Sequence, residues 1–223
     1  MDWTTQVDNY CERIDPSFWS EPLNAVTNLS FIIAALLCLN MTVRRDREEG
    51  YTFALCAILF CIGVGSFLFH TFATKWASVA DVVPILLFIL LYVYAATRRY
   101  LNAGHLTAAL AVIGALLFSS AFPGLWNSVL PSINGSEAYV STLLIIIGYG
   151  AVLARRGHPA ATGLFATAAL LSLSLTFRSI DPVVCDVVPV GTHFMWHTLN
   201  GILLGVALAT FIRHGAPASA TRA

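Results

Sequence analysis

The sequence predicts an all-α integral membrane protein with seven transmembrane helices. Of its 223 residues, 57% are hydrophobic and 11% are charged, and the mean hydropathy is +0.75. A soluble domain carries about 25% charged residues, so this composition excludes an ordinary soluble protein. The second observation is a series of apolar stretches near the roughly 20 residues that a bilayer-spanning helix needs. They fall at 22–43, 52–72, 80–97, 106–123, 137–154, 160–178 and 190–212.

The arginines between these segments predict the orientation of the chain. Cytoplasmic connections are enriched in Lys and Arg. Nine arginines fall on one side, Arg44, Arg45, Arg47, Arg98, Arg99, Arg155, Arg156, Arg213 and Arg222, against Arg13, Lys75 and Arg178 on the other. We therefore expect an extracytoplasmic acidic segment over 1–21, a seven-helix domain over 22–214 and a cytoplasmic tail over 215–223.

Charge and composition also limit the partners. The net charge is zero and no basic cluster is interleaved with aromatic residues, which excludes nucleic-acid binding. Residues 1–19 lack the basic and apolar regions of a cleaved signal peptide, so the first apolar segment is expected to stay in the membrane. The connections are short, which predicts one bundle of antiparallel neighbours, and we predict no protein partner.

The first candidate for a functional site is the pair His193 and His197 near the start of the last apolar segment. Residues four apart on a helix share one face, so the two imidazoles can hold one metal ion or, alternatively, bond neighbouring backbone groups. The predicted topology brings His70, at the outer end of the second segment, to the same depth. The remaining histidines lie beside arginines on the cytoplasmic side and are interpreted as solvated: His105, His158 and His214.

Three histidines with an open fourth position are typical of catalytic zinc, although nitrogen ligands also suit iron, nickel or copper. Ser66 lies one helical turn before His70, and Asp81 lies near the outer end of the third segment. Each has a simpler interpretation: Ser66 as a packing residue, and Asp81 as a helix cap in competition with Ser78. Zinc activates water and polarises a carbonyl, so Asp81 as general base and Ser66 as hydrogen-bond donor indicate hydrolysis of an amide or ester. At this depth the substrate is expected to be a lipid from the bilayer.

These residues resemble a known family. Gly65-Ser66-Phe67-Leu68-Phe69-His70, the following Asp81, and His193-Phe194-Met195-Trp196-His197 are similar to the pattern of the alkaline ceramidases, within a superfamily of seven-helix membrane hydrolases that includes adiponectin-receptor-like proteins. The stretches 9–12 and 21–28 resemble alkaline ceramidases in particular. The resemblance implies that the three histidines bind zinc, that Asp81 is the acid and base, and that Ser66 is the oxyanion partner.

The resemblance also implies a calcium site in the acidic N-terminal segment, and oxygen ligands of this kind suit calcium. The predicted ligands are Asn9, Tyr10, Glu12, Asp15 and Glu21. The segment departs from the animal pattern, because the gap between Glu12 and Glu21 is shorter and Ile14 stands where an Asn would align. Calcium is accordingly predicted as a structural or regulatory ion, with Glu12 and Glu21 as its main ligands.

The five cysteines divide by position. Cys38, Cys56 and Cys61 lie inside apolar segments and are interpreted as packing residues. Cys11 and Cys185 both fall on the predicted outer side, where an oxidising compartment permits disulfides. We predict a Cys11–Cys185 disulfide, in agreement with the family resemblance, that holds the N-terminal segment over the loop before the last helix.

The resulting hypothesis is a zinc-dependent amidohydrolase that cleaves ceramide-like lipids to a sphingoid base and a fatty acid. The alternatives are a hydrolase of another lipid amide or ester, a seven-helix receptor or sensor with a structural metal, and a proton-coupled transporter. High alanine content and a single lysine, Lys75, indicate a GC-rich bacterial genome. We therefore expect the bacterial inner membrane, with the site towards the periplasm.

Overall fold

The computed structural model describes residues 2–45 and 50–215. Within these ranges the chain forms eight helices: α1 (Pro22–Thr27), α2 (Leu29–Val43), α3 (Gly50–Phe72), α4 (Lys75–Tyr100), α5 (His105–Asn127), α6 (Glu137–Arg155), α7 (Ala160–Val184) and α8 (His193–His214). Helices α1 and α2 together form the first apolar span, Pro22–Val43. Seven spans of the described chain are thus long and apolar enough to cross a bilayer, which confirms the predicted fold class.

Helices α4 and α7 extend furthest beyond their predicted apolar segments. Helix α4 begins at Lys75, directly after Thr74, whose backbone is extended. Helix α7 continues to Val184 and contains both Arg178, the last residue of the predicted segment, and Asp181, which lies beyond it. Hydropathy marks charged residues as loops, but both side chains find partners here: Arg178 donates to a loop carbonyl, and Asp181 accepts from backbone amides. Because these groups are satisfied, the helix continues through them.

Helices α3 and α8 are the most buried spans of the bundle. About half of each is buried, 50% for α3 and 56% for α8, against 11% for α5. Their inward faces carry fully buried apolar side chains, such as Leu55, Leu59 and Ile62 on α3 and Leu208 and Phe211 on α8. Side chains at the ends of these two helices are therefore held by the best-packed part of the molecule.

The N-terminal segment, residues 2–21, lies across one end of the bundle. The amide of Val7 donates to the carbonyl of Ala73 at 2.7 Å, and the amide of Lys75 donates to the carbonyl of Thr5 at 3.1 Å. Cys11 and Cys185 form the predicted disulfide at the same end, with their Cα atoms 5.2 Å apart. We call this the disulfide end.

The opposite end of the bundle, the arginine end, carries the connections between α2 and α3, α4 and α5, and α6 and α7. Its described arginines are Arg44, Arg45, Arg98, Arg99, Arg155, Arg156 and Arg213. Arg47, Arg222 and the predicted tail after Gly215 lie outside the described residues. The side of the membrane that each end faces stays a prediction.

The free cysteines partly follow their predicted role. Cys38 and Cys56 are buried, as expected of packing residues, but Cys61 is exposed on α3. The packing interpretation is wrong for Cys61. Hydropathy alone does not distinguish the inward face of a transmembrane helix from the apolar face that meets lipid.

Candidate metal centre

Three buried histidines meet at the disulfide end. His70 lies near the C-terminal end of α3, and His193 and His197 occupy the first two turns of α8. Ring centroids are 5.3 Å apart for His70 and His193, 4.5 Å for His70 and His197, and 4.6 Å for His193 and His197. One ring nitrogen from each lies within 4.8 Å of the others. The expected meeting of these three side chains at one depth is confirmed.

The free nitrogens of this group fit a metal ion. Nδ1 of His70 contacts Glu21 Oε2 at 2.6 Å, and Nδ1 of His197 contacts Thr27 Oγ1 at 3.2 Å. In the described chain, His70 Nε2 and His193 Nδ1 are buried without a hydrogen-bond partner. Buried polar atoms without partners are costly, and a shared ion would satisfy both. Three nitrogens leave one position of a tetrahedral set open, as in catalytic zinc sites.

Glu21 fixes the orientation of His70. Its Oε2 accepts hydrogen bonds from His70 Nδ1 and from Asn24 Nδ2 at 3.0 Å, and its Oε1 accepts from Arg13 Nε at 2.5 Å. Burial alone would raise the pKa of Glu21, but the hydrogen bonds of His70 and Asn24 and the charge of Arg13 outweigh it, so the pKa lies below its ordinary value. A carboxylate that holds one nitrogen of a histidine directs the other nitrogen towards a metal.

Tyr10 packs against the histidine group from the N-terminal segment. Its ring stacks on His193 with centroids 3.6 Å apart and an interplanar angle of 19°. Burial raises the pKa of the Tyr10 hydroxyl, so the side chain is neutral. The disulfide of the next residue, Cys11, holds Tyr10 in this position.

Asp181 of α7 anchors the start of α8. Its Oδ1 accepts hydrogen bonds from the amides of Thr192 at 2.6 Å and His193 at 2.9 Å, and its Oδ2 accepts from the Cys11 amide at 3.2 Å. The carboxylate therefore satisfies amides at a helix start, where negative charge is favoured. Gly191 has a φ of +63°, and a Cβ there would overlap Asp181 Oδ1, so only glycine suits this turn.

Ser66 and Asp81 lie beside the histidines on neighbouring helices. Ser66 is buried one turn before His70, and its hydroxyl interacts with the Asp81 carboxylate. Asp81 lies in the second turn of α4 and not at its start, so its interpretation as a helix cap is wrong. A Cβ at Gly65 would lie 2.1 Å from the carbonyl oxygen of Ala80, so only glycine lets α3 and α4 approach this closely.

A narrow apolar cavity of about 100 Å³ extends from Ser66 and Asp81 towards the arginine end. On α4 its lining reaches from Asp81 to Ala96, about 22 Å along the helix axis at 1.5 Å per residue. Trp196 of α8 lines it near the histidines, and Tyr149 of α6 lines it at the far end. A long apolar space with polar groups at one end suits a molecule with a hydrocarbon chain and a reactive polar group.

The predicted calcium ligands do not gather in the same way. Glu12 accepts hydrogen bonds from the amides at the start of α1, at 2.7 and 2.8 Å, and Asp15 accepts from the Ser17 amide at 2.8 Å. Asn9 is exposed, and Glu21 bonds Arg13, Asn24 and His70 as described above. Among the described residues, only the three histidines form a group of three or more His, Cys, Asp or Glu ligand atoms within 4.8 Å of one another. The arrangement does not fit the predicted calcium site.

Four residues that hold the site in place were not predicted from the sequence: Arg13, Asn24, Thr27 and Asp181. Asp181 carried a usable signal, because a carboxylate near the end of an apolar segment needs a partner. For Arg13 the sequence shows only a positive charge, since only the folded N-terminal segment shows that its guanidinium is buried against Glu21.

The fold and site define a class: a polytopic helical membrane protein with a buried three-histidine group beside a serine and a carboxylate. The sequence model of the family described as Ceramidase matches residues 4–219. The chain belongs to this family, which confirms the resemblance to ceramidases. The comparison with curated proteins gives no match.

Proposed function

We propose that this protein is a zinc-dependent membrane amidohydrolase that cleaves ceramide-like lipids to a sphingoid base and a free fatty acid. Membership of the Ceramidase family supports a hydrolase of the ceramidase type that acts on an amide. The observation that carries the proposal is the convergence of His70, His193 and His197 beside Ser66 and Asp81 at one end of an apolar cavity.

The three histidines are the proposed zinc ligands. Zinc bound there would lower the pKa of water and polarise the substrate carbonyl. Glu21 accepts a hydrogen bond from His70 Nδ1, and Thr27 contacts His197 Nδ1, which leaves the opposite Nε2 atoms available for a metal. His193 is held by Tyr10 on its ring face and by Asp181 at its amide.

Asp81 and Ser66 are the proposed catalytic residues. The Asp81 carboxylate accepts a proton from the attacking water as the new C–O bond forms, and it returns that proton to the leaving nitrogen as the C–N bond breaks. The Ser66 hydroxyl donates a hydrogen bond to the substrate carbonyl oxygen, where negative charge develops. Their position next to each other on α3 and α4 supports these roles.

The cavity supports a lipid substrate. Its walls are mainly apolar side chains, including Ile85, Phe88 and Ile89 of α4. Hydrocarbon buried there would be removed from contact with polar groups while the amide stays beside Ser66 and Asp81. The substrate would then enter from the bilayer.

The test is metal analysis of the purified protein together with product release from a panel of N-acyl lipids and matching esters. We expect about one zinc per chain and release of fatty acid from N-acyl sphingoid bases, with both lost in His197→Ala. His105→Ala is the matched control, because His105 is exposed at the arginine end and contacts Tyr94. Stoichiometric zinc without hydrolysis would favour a receptor or sensor, and wild-type protein without metal would overturn the mechanism.

We further propose that the disulfide end faces the oxidising side of the membrane, the periplasm of a bacterial inner membrane. The excess of arginines at the opposite end and the Cys11–Cys185 bond support this orientation. Labelling of a cysteine introduced at exposed Ser17 by a membrane-impermeant reagent in whole cells tests it. Labelling only after lysis would reverse the orientation.

A further inference from the structure

A buried arginine occupies the segment that was predicted to bind calcium. The side chains of Arg13 and Glu21 are only 3% and 2% exposed. The guanidinium donates through Nε to Glu21 Oε1 at 2.5 Å, through Nη1 to the Asp15 carbonyl at 3.1 Å and through Nη2 to the His70 carbonyl at 3.2 Å. Each of its three nitrogens thus meets a different oxygen.

These acceptors are of the kinds that calcium binds, a carboxylate and backbone carbonyls. Calcium requires six to eight oxygen ligands, however. The other two predicted carboxylates of this segment already accept hydrogen bonds from backbone amides, Glu12 from Leu23 and Asn24 and Asp15 from Ser17. A divalent ion next to Glu21 would also stand beside the fixed positive charge of Arg13. The two cations would repel each other where little water screens them.

We propose that the Arg13 guanidinium is a built-in cation that takes the place of calcium, so that folding and metal binding at the histidines proceed without that ion. Arg13 is a positioning residue. It holds the Glu21 carboxylate against His70 Nδ1 and binds the backbone of the same histidine, and so joins the N-terminal segment to α3. The inference concerns stability and metal retention, and it does not rest on the identity of the substrate.

The experiment uses the full-length protein in detergent micelles and buffer depleted of divalent ions by a chelating resin. Apparent Tm and zinc affinity are measured with no calcium and with about 1 mM Ca²⁺, the upper end of the range for extracellular calcium sites. The variants are Arg13→Gln, Arg13→Lys and the control Arg44→Gln, which removes an exposed arginine bonded to Asn40. Zinc affinity is measured well below the Tm of each variant, so that unfolding does not contribute.

We expect calcium to leave the Tm and zinc affinity of the wild type unchanged. Arg13→Gln leaves Glu21 buried without its cation and should lower the Tm by about 10 °C and weaken zinc binding about tenfold. Arg13→Lys should recover part of the zinc affinity, and Arg44→Gln should match the wild type.

Two results would overturn the proposal. The first is a calcium-dependent rise of several degrees in the wild-type Tm, or stoichiometric calcium in the purified wild type. The second is an Arg13→Gln protein that matches Arg44→Gln in both Tm and zinc affinity. If Arg13→Gln does not fold, the wild-type calcium measurements still decide. None of these readouts needs hydrolysis, so a failure of the proposed reaction would be seen separately.

Discussion

Substitution of Gly65 by alanine should separate the two proposed catalytic residues, Ser66 and Asp81. The added Cβ would lie 2.1 Å from the carbonyl oxygen of Ala80, whereas ordinary contact begins at 3.4 Å. The Ala80 oxygen belongs to the backbone and cannot be moved by a side-chain rotation. Helices α3 and α4 must therefore move apart by about 1.3 Å, the difference between these distances. Ser66 is the next residue on α3 and Asp81 the next on α4, so the movement falls directly on the proposed hydrolytic pair.

A displacement of about 1 Å in an active site can cost about 100-fold in rate, and overpacking of a core costs about 1–3 kcal/mol. We therefore expect kcat/KM of Gly65→Ala for an N-acyl sphingoid base to fall about 100-fold. The Tm should fall by several degrees. Fatty-acid release and thermal unfolding in micelles measure the two effects.

Gly148→Ala is the matched control, because it makes the same change inside a membrane span where a Cβ meets nothing within 4 Å. This control should keep its activity and be neutral or slightly stabilised, since alanine favours helix more than glycine does. Turnover of Gly65→Ala close to the wild-type value would refute the argument that close approach of α3 and α4 positions Ser66 and Asp81.

The remaining predictions concern Glu21 and the disulfide. Glu21→Gln should weaken zinc binding about 10- to 100-fold in equilibrium dialysis, and unchanged affinity would contradict the orienting role of Glu21. The folded pKa of Glu21 lies below its ordinary value of 4.5. In metal-free protein the ionised Glu21 carboxylate therefore contributes its full stability above pH 4.5, and this contribution is lost as the pH falls through the lower folded pKa. The difference in Tm between wild type and Glu21→Gln should accordingly become smaller in acid. Reductant should change the electrophoretic mobility of the wild type but not that of Cys11→Ser, which lacks the disulfide. Loss of the disulfide should cost about 2–5 kcal/mol of stability. Wild-type mobility that does not respond to reductant would argue against the bond.

Much of the candidate site could be predicted because its parts are local motifs. His193 and His197 share a helix face by their spacing, and Ser66 precedes His70 by one turn. The alternation of helix directions then brings both motifs to one end of the bundle. These steps need only helix geometry and chain topology, and the structure confirms that the three histidines meet.

The same reasoning failed where burial decides the role of a charged residue. The apolar segment is predicted to end at Arg178, yet α7 continues past Arg178 and Asp181 because the fold supplies partners for both side chains. Arg13 was counted only as a basic residue of the outer side. Its burial against Glu21 depends on the path of residues 2–21 across the bundle, which no local pattern encodes.

The sequence by itself determined the seven apolar helices and the histidine motifs, because hydropathy and helical spacing are properties of neighbouring residues. Only the tertiary structure decided which groups hold the histidines and which cation Glu21 binds. Those contacts join residues far apart in the chain, such as Glu21 with His70 at 2.6 Å and Asp181 with Cys11 at 3.2 Å. Their partners are chosen by packing at the disulfide end, where a buried charge must find an opposite charge or a hydrogen bond.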